Sequence, residues 1–131
     1  ARPADAVLLD APCSATGTIR RHPDIPWLKT PEDVQRLART QDRLLANAVT
    51  MLAPGGVLVY AVCSLQPEEG PQRIEALLRA DPGLKRVPVA ADEIGGLAEA
   101  ITPEGDLRTL PCHWSDRGGM DGFYAARLVK A

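Results

Sequence analysis

The chain has 131 residues, 45% of them hydrophobic and 24% charged, the size of one ordinary domain with enough apolar content for a core. A net charge of −2 excludes a protein that grips nucleic acid by bulk positive charge alone. No apolar run approaches the ~20 residues of a membrane-spanning helix, and no amino-terminal signal pattern is present, so the expectation is a soluble, cytoplasmic protein.

Three widely spaced cysteines, Cys13, Cys63 and Cys112, do not make the even-numbered framework of a disulfide-stapled domain. Aromatic residues at 4% argue against extended base-stacking platforms. The chain opens at Ala1 without a methionine and enters a buried-type strand within five residues. Residues 1–131 therefore read as one unit cut from a larger protein.

Ala6-Val7-Leu8-Leu9 is a continuous apolar run between aspartates, as in a strand covered on both faces. It ends in the small, turn-prone residues Asp10-Ala11-Pro12-Cys13-Ser14-Ala15-Thr16-Gly17, and Thr18 to Thr30, with two prolines, reads as a loop. Thr30-Pro31-Glu32-Asp33 is a helix start: a hydroxyl cap, proline at the first helical position, then acidic residues. The apolar stripe runs through Val34, Leu37, Ala38, Leu44, Leu45, Ala48, Val49 and Leu52, with Gln41 and Asp42 filling a gap in it. Pro54-Gly55-Gly56 is expected to stop that helix.

Val57 to Val62 reads as the second buried strand, ending at Cys63-Ser64. Pro67-Glu68-Glu69 is expected to open a further helix carrying Ile74, Leu77 and Leu78 inward and stopping at Asp81-Pro82-Gly83. Leu84 to Val89 is a weaker strand, Ala90 to Asp106 a short helix and loop, Leu107 to Leu110 a short strand, and Gly122 to Val129 a good one. This order predicts an α/β sheet, mostly parallel, closed by an antiparallel late strand.

Open α/β sheets bind ligands beyond the carboxyl ends of their parallel strands. Both strong strands end in cysteine followed by serine, so pairing them would bring Cys13 and Cys63 to one crevice. Two thiols at one rim suit nucleophilic chemistry in which one attacks and the other assists. The helix expected at Pro67 would lend Cys63 the positive end of its dipole. Asp10, at the same rim, could hydrogen-bond or hand a proton to a heterocyclic nitrogen, best if burial raises its pKa.

Other chemistries fit less well. Cys13, His22, Cys63, Cys112 and His113 contain neither a C-x₂-C nor an H-x₃-H pair, so no metal site is expected. Acidic residues after Cys63 would repel phosphate, which removes a phosphatase-type cysteine. Arg20-Arg21-His22 is the one compact basic cluster; by itself it reads as a solvated loop, but at the mouth of a crevice its arginines are also natural phosphate partners. Cys112 is taken as structural, and Trp27 and Trp114 as packing on the domain.

The run Asp10 to Gly17, followed by Ile19-Arg20-Arg21-His22-Pro23-Asp24, resembles the fourth motif of the Sun (Fmu) family, RNA cytosine-5 methyltransferases dependent on S-adenosylmethionine. Tyr60-Ala61-Val62-Cys63-Ser64, then Pro67-Glu68-Glu69, resembles the sixth motif, with valine where the family has threonine. Asp121 to Leu128 resembles its last strand. The resemblance implies a Rossmann-like methyltransferase fold acting on a cytosine of 16S ribosomal RNA. It makes Cys63 the nucleophile toward C6, Cys13 the residue that helps release product, and Asp10 the partner of the ring nitrogen. Asp10 and Pro12 would also touch the cofactor.

No G-x-G-x-x-G turn occurs after a strand, so the chain is expected to be the carboxyl-terminal half of the catalytic domain. By itself it would be inactive and bind S-adenosylmethionine weakly or not at all. Two alternatives remain at this point: a non-catalytic RNA-binding or ribosome-assembly module of the same fold, and a methyltransferase for transfer RNA.

Overall fold

A computed structural model describes residues 2–131. Its elements in chain order are β1 (Ala4–Asp10), α1 (Ile25–Leu28), α2 (Pro31–Met51), β2 (Leu52–Val62), α3 (Pro71–Ala80), β3 (Leu84–Arg86), β4 (Leu107–Thr109) and β5 (Phe123–Lys130). Short 3-10 turns cover Thr16–Thr18, Ala91–Ile94, Ala98–Ala100 and Ser115–Arg117. The loop expected at Thr18 to Thr30 thus holds one helical turn, α1.

The sheet runs β1-β2-β5-β3, with β4 also paired to β5. β1 and β2 are parallel, from Ala6 opposite Val57 to Asp10 opposite Ala61. β5 runs against β2, β3 and β4, so the other four strands share one direction. The late antiparallel strand is inserted inside the sheet rather than added at its edge.

Helix α2 starts as its sequence dictates. The Thr30 hydroxyl accepts from the Asp33 N–H at 3.2 Å, and the Asp33 carboxylate accepts from the Thr30 N–H at 3.0 Å, satisfying two otherwise orphaned donors. Leu45, Ala48 and Val49 of α2 and Ile74 of α3 bury against Leu58, Tyr60, Ala126 and Leu128 of the sheet. Full burial of each such leucine or isoleucine stabilises by about 1.5–3 kcal/mol. β1 is not covered on both faces as expected: Ala6 and Leu8 are exposed, Leu8 at 71%, while Val7 and Leu9 pack on the core.

Several expectations are corrected. Helix α2 ends at Met51, and Pro54-Gly55-Gly56 lies within the irregular start of β2, where the register with β1 shifts. Helix α3 begins at Pro71, not Pro67. Residues 67–70 form a turn: Gly70 precedes Pro71 and takes a non-helical φ of −119° and ψ of −94°, as the proline ring disfavours the helical region for its predecessor, and a Cβ on Gly70 would sit 2.9 Å from the Tyr124 ring. Gln41 is no gap in the stripe but fully buried. Trp27, at 88% exposure, stands largely free of the domain rather than packed on it, and Cys112 is exposed and fills no core. Among the described residues, no helix is long and apolar enough to cross a membrane.

Candidate active site

The pairing of β1 with β2 carries straight into the turns beyond them. The Ala11 N–H donates to the Ala61 carbonyl at 2.9 Å and the Gly17 N–H to the Cys63 carbonyl at 3.0 Å, lashing the Cys13 turn to the end of β2. As a result the Cys13 and Cys63 sulfurs lie 3.6 Å apart, both half-buried. Ala15 bends the turn between them with a left-handed φ of 59°, unusual for a residue with a Cβ.

Burial pushes the Cys13 thiol up to about 12; the neighbouring Cys63 and Glu69 push the same way, and a hydrogen bond from the Ala15 backbone only partly offsets them. Cys13 is therefore a thiol, not a thiolate, at neutral pH. Val62, where the resemblance gives threonine, is fully buried in the apolar core. Because α3 starts at Pro71, the helix dipole expected just beyond Cys63 is displaced by four residues.

Asp10 stands at the same rim and is exposed rather than buried. It takes part in none of the ion pairs among the described residues. Pro12 is exposed too, and its carbonyl accepts from Gln41 Nε2 at 2.9 Å. Arg20 and Arg21 both turn to Asp121, at 3.7 and 2.7 Å, which neutralises part of the basic cluster. Their side chains stay 40% and 58% exposed, and His22 is exposed beside them. Among the described residues no three His, Cys, Asp or Glu side chains gather as a metal site would require.

Two residues escaped the sequence reading. Glu69, read as part of a helix start, is fully buried behind the thiols. It accepts hydrogen bonds from the backbone and hydroxyl of Ser14, the hydroxyl of Ser64 and the amide of Gln41. Arg108 of β4 lies over the Tyr124 ring at 5.1 Å and donates to the Ser64 carbonyl at 2.5 Å, propping the turn after Cys63. Local sequence holds no signal that separates Glu69 from Glu68 or Arg108 from any surface arginine. A groove of about 490 Å³, floored by Ile19, Ile25, Pro26, Val34 and Leu65 with Lys29 at its edge, runs alongside the site, though neither sulfur lines it.

The open α/β sheet, with Cys13, Cys63 and Asp10 at the carboxyl ends of adjacent parallel strands, has the Rossmann-like fold of methyltransferase structures. The chain belongs to the family described as 16S rRNA methyltransferase RsmB/F, whose model matches residues 2–129. A ribosomal RNA small subunit methyltransferase B from Salmonella arizonae is 46% identical over 127 residues, covering 96% of this chain and 26% of that protein. The Shewanella oneidensis protein of the same description is 44% identical, covering 97% and 27%. The crystal structure of PH0851 superimposes with a TM-score of 0.84 at 34% identity, over 97% of this chain and 27% of that one. NSun6 from Pyrococcus horikoshii with SFG gives 0.74 at 29% identity, over 98% and 30%. The chain thus spans about a quarter of the length of the curated relatives it matches.

Proposed function

We propose that this chain is the carboxyl-terminal half of the catalytic domain of an S-adenosylmethionine-dependent RNA cytosine-5 methyltransferase, acting on 16S ribosomal RNA. The observation that carries the reading is the pair of sulfurs 3.6 Å apart at the ends of adjacent parallel strands, one of them held as a thiol. The family and the relatives' names support the RNA substrate, and SFG, an analogue of S-adenosylmethionine, supports the cofactor.

In this mechanism the Cys63 thiolate bonds to C6 of the target cytosine, and the C5–C6 π electrons shift toward C5. The ring nitrogen takes a proton from water as the adduct forms and returns it to water on release, and Asp10, exposed at the rim, accepts a hydrogen bond from that N–H in between. Cys13, as a thiol, donates toward Cys63 Sγ and steadies it both before attack and as it leaves C6. C5 then loses its proton to water, the double bond re-forms, and the S–C6 bond breaks. Bound S-adenosylmethionine supplies the electrophilic methyl group for C5. The exposed, unpaired carboxylate of Asp10 and the turn at Pro12 fit its cationic end, and the remainder of its site falls to residues outside this chain. Arg20, Arg21 and His22 present a basic edge to the RNA backbone, with Asp121 holding the two arginines.

The test is made in the full-length protein with transcribed 16S RNA. Cys63→Ala abolishes turnover and any covalent RNA adduct, whereas Cys13→Ala accumulates an adduct that survives a denaturing gel. An adduct in the Cys63 variant would exchange the two roles, and none in either variant would favour the non-catalytic RNA-binding reading.

A further inference from the structure

Ser14 follows Cys13, Ser64 follows Cys63, and both serines hang from the same buried carboxylate. Glu69 is fully buried, yet no cation pairs with it among the described residues. A buried acid without a counter-ion is costly unless hydrogen bonds satisfy it, and all four of its partners donate. One oxygen takes the Ser14 N–H at 2.9 Å and the Gln41 amide at 3.0 Å; the other takes the Ser14 and Ser64 hydroxyls. Gln41 in turn donates to the Pro12 carbonyl, so a third point of the Cys13 turn is tied in. The Glu69 carbonyl is itself fixed by the Tyr60 hydroxyl at 2.6 Å, which anchors the whole assembly to β2.

We propose that Glu69 is the positioning residue of this site: it clamps the two cysteine turns to one another and sets the distance between the sulfurs. The inference rests on the reading in which Cys63 attacks and Cys13 assists release. It adds that the release step is governed from behind the site by a side chain that touches neither substrate nor cofactor.

The donor arrangement makes Glu69→Gln informative. A glutamine can keep its oxygen where two fixed N–H donors converge and turn its amide toward the two hydroxyls. Ser64, however, already accepts from the Gln66 N–H at 3.0 Å and lies 3.4 Å from the Thr16 hydroxyl, whose own oxygen accepts from Leu65 N–H. A further incoming donor turns the Ser64 proton from the carboxylate to the Ser14 or Thr16 hydroxyl oxygen, each a long 3.4 Å away, so the fold survives while the Cys63 turn loosens. Glu69→Ala instead strips the acceptor from four buried donors and is expected to unfold, so it is not the test.

In the full-length protein, Glu69→Gln is expected to melt cooperatively and keep KM for RNA within about twofold, while kcat falls about 10–100-fold as the sulfurs lose their alignment. The fraction of RNA trapped as a denaturant-resistant adduct rises, as in Cys13→Ala. Wild-type kcat and adduct level in Glu69→Gln would overturn the inference, as would a kcat loss that merely tracks the folded fraction. Cys63→Ala and Cys13→Ala run alongside separate the two failures. If those behave as proposed and Glu69→Gln does not, only the positioning role falls; if Cys63→Ala still forms the adduct, the underlying reading falls with it.

Discussion

Gly17 is the point at which the smallest substitution should do the most damage. Its backbone is wedged between β2 and the loop before β5: its N–H donates to the Cys63 carbonyl at 3.0 Å, and its carbonyl accepts from the Gly122 N–H at 2.7 Å. A Cβ at this position would lie 1.9 Å from the Gly122 carbonyl oxygen and 3.0 Å from that of Cys63. Both obstacles are backbone, so Gly17→Ala must open the joint by about 1 Å. Overpacking of this kind costs about 1–3 kcal/mol, and the two hydrogen bonds add about 0.5–1.5 kcal/mol each, for roughly 2–6 kcal/mol in all. The same movement carries the Cys13 turn away from Cys63, and misplacement on that scale lowers turnover by about 100-fold. Thermal melting of the full-length variant should drop by roughly 5–15 °C, and single-turnover methylation should slow with it. A melting point within about 1 °C of wild type, with normal turnover, would refute the view that this joint sets the site.

Two further outcomes follow from the chemistry of the chain. Burial raises the Cys13 pKa to about 12, so the thiol form persists through neutral pH and the thiolate gathers only far into alkali. Peptide-resolved alkylation of Cys13 should therefore climb about tenfold per pH unit beyond pH 9, where an ordinary cysteine levels off; a plateau by pH 9 would contradict it, and exposed Cys112 serves as the internal comparison. Calorimetry of the 131-residue chain, with circular dichroism reporting its folded sheet, should show no saturable S-adenosylmethionine binding at micromolar concentrations. Micromolar affinity would contradict a cofactor site built largely by other residues.

The parts of the fold legible in the sequence are those with strong local chemistry. The Thr30-Pro31-Asp33 start of α2 and the unbroken apolar runs of β1 and β2 each encode their own structure, and parallel pairing of those strands followed from the helix between them. From that pairing came the nearness of Cys13 and Cys63. What the sequence concealed depends on long-range packing. Pro67 carries the marks of a helix start, but Gly70, non-helical ahead of Pro71 and packed on the distant Tyr124 ring, delays α3 to Pro71. Gln41 looked like a polar interruption because its partners, Glu69 and the Pro12 carbonyl, are 28 and 29 residues away in the chain. Arg20 and Arg21 meet Asp121 across about a hundred residues, and no local pattern announces that pairing.

The most direct measurement is to incubate the full-length protein with S-adenosylmethionine and 16S RNA carrying 5-fluorocytosine, whose C5 cannot release a proton, and to map the covalent adduct by mass spectrometry. The nucleotide is expected on the peptide containing Cys63. Attachment at Cys13, or no attachment at all, would contradict it.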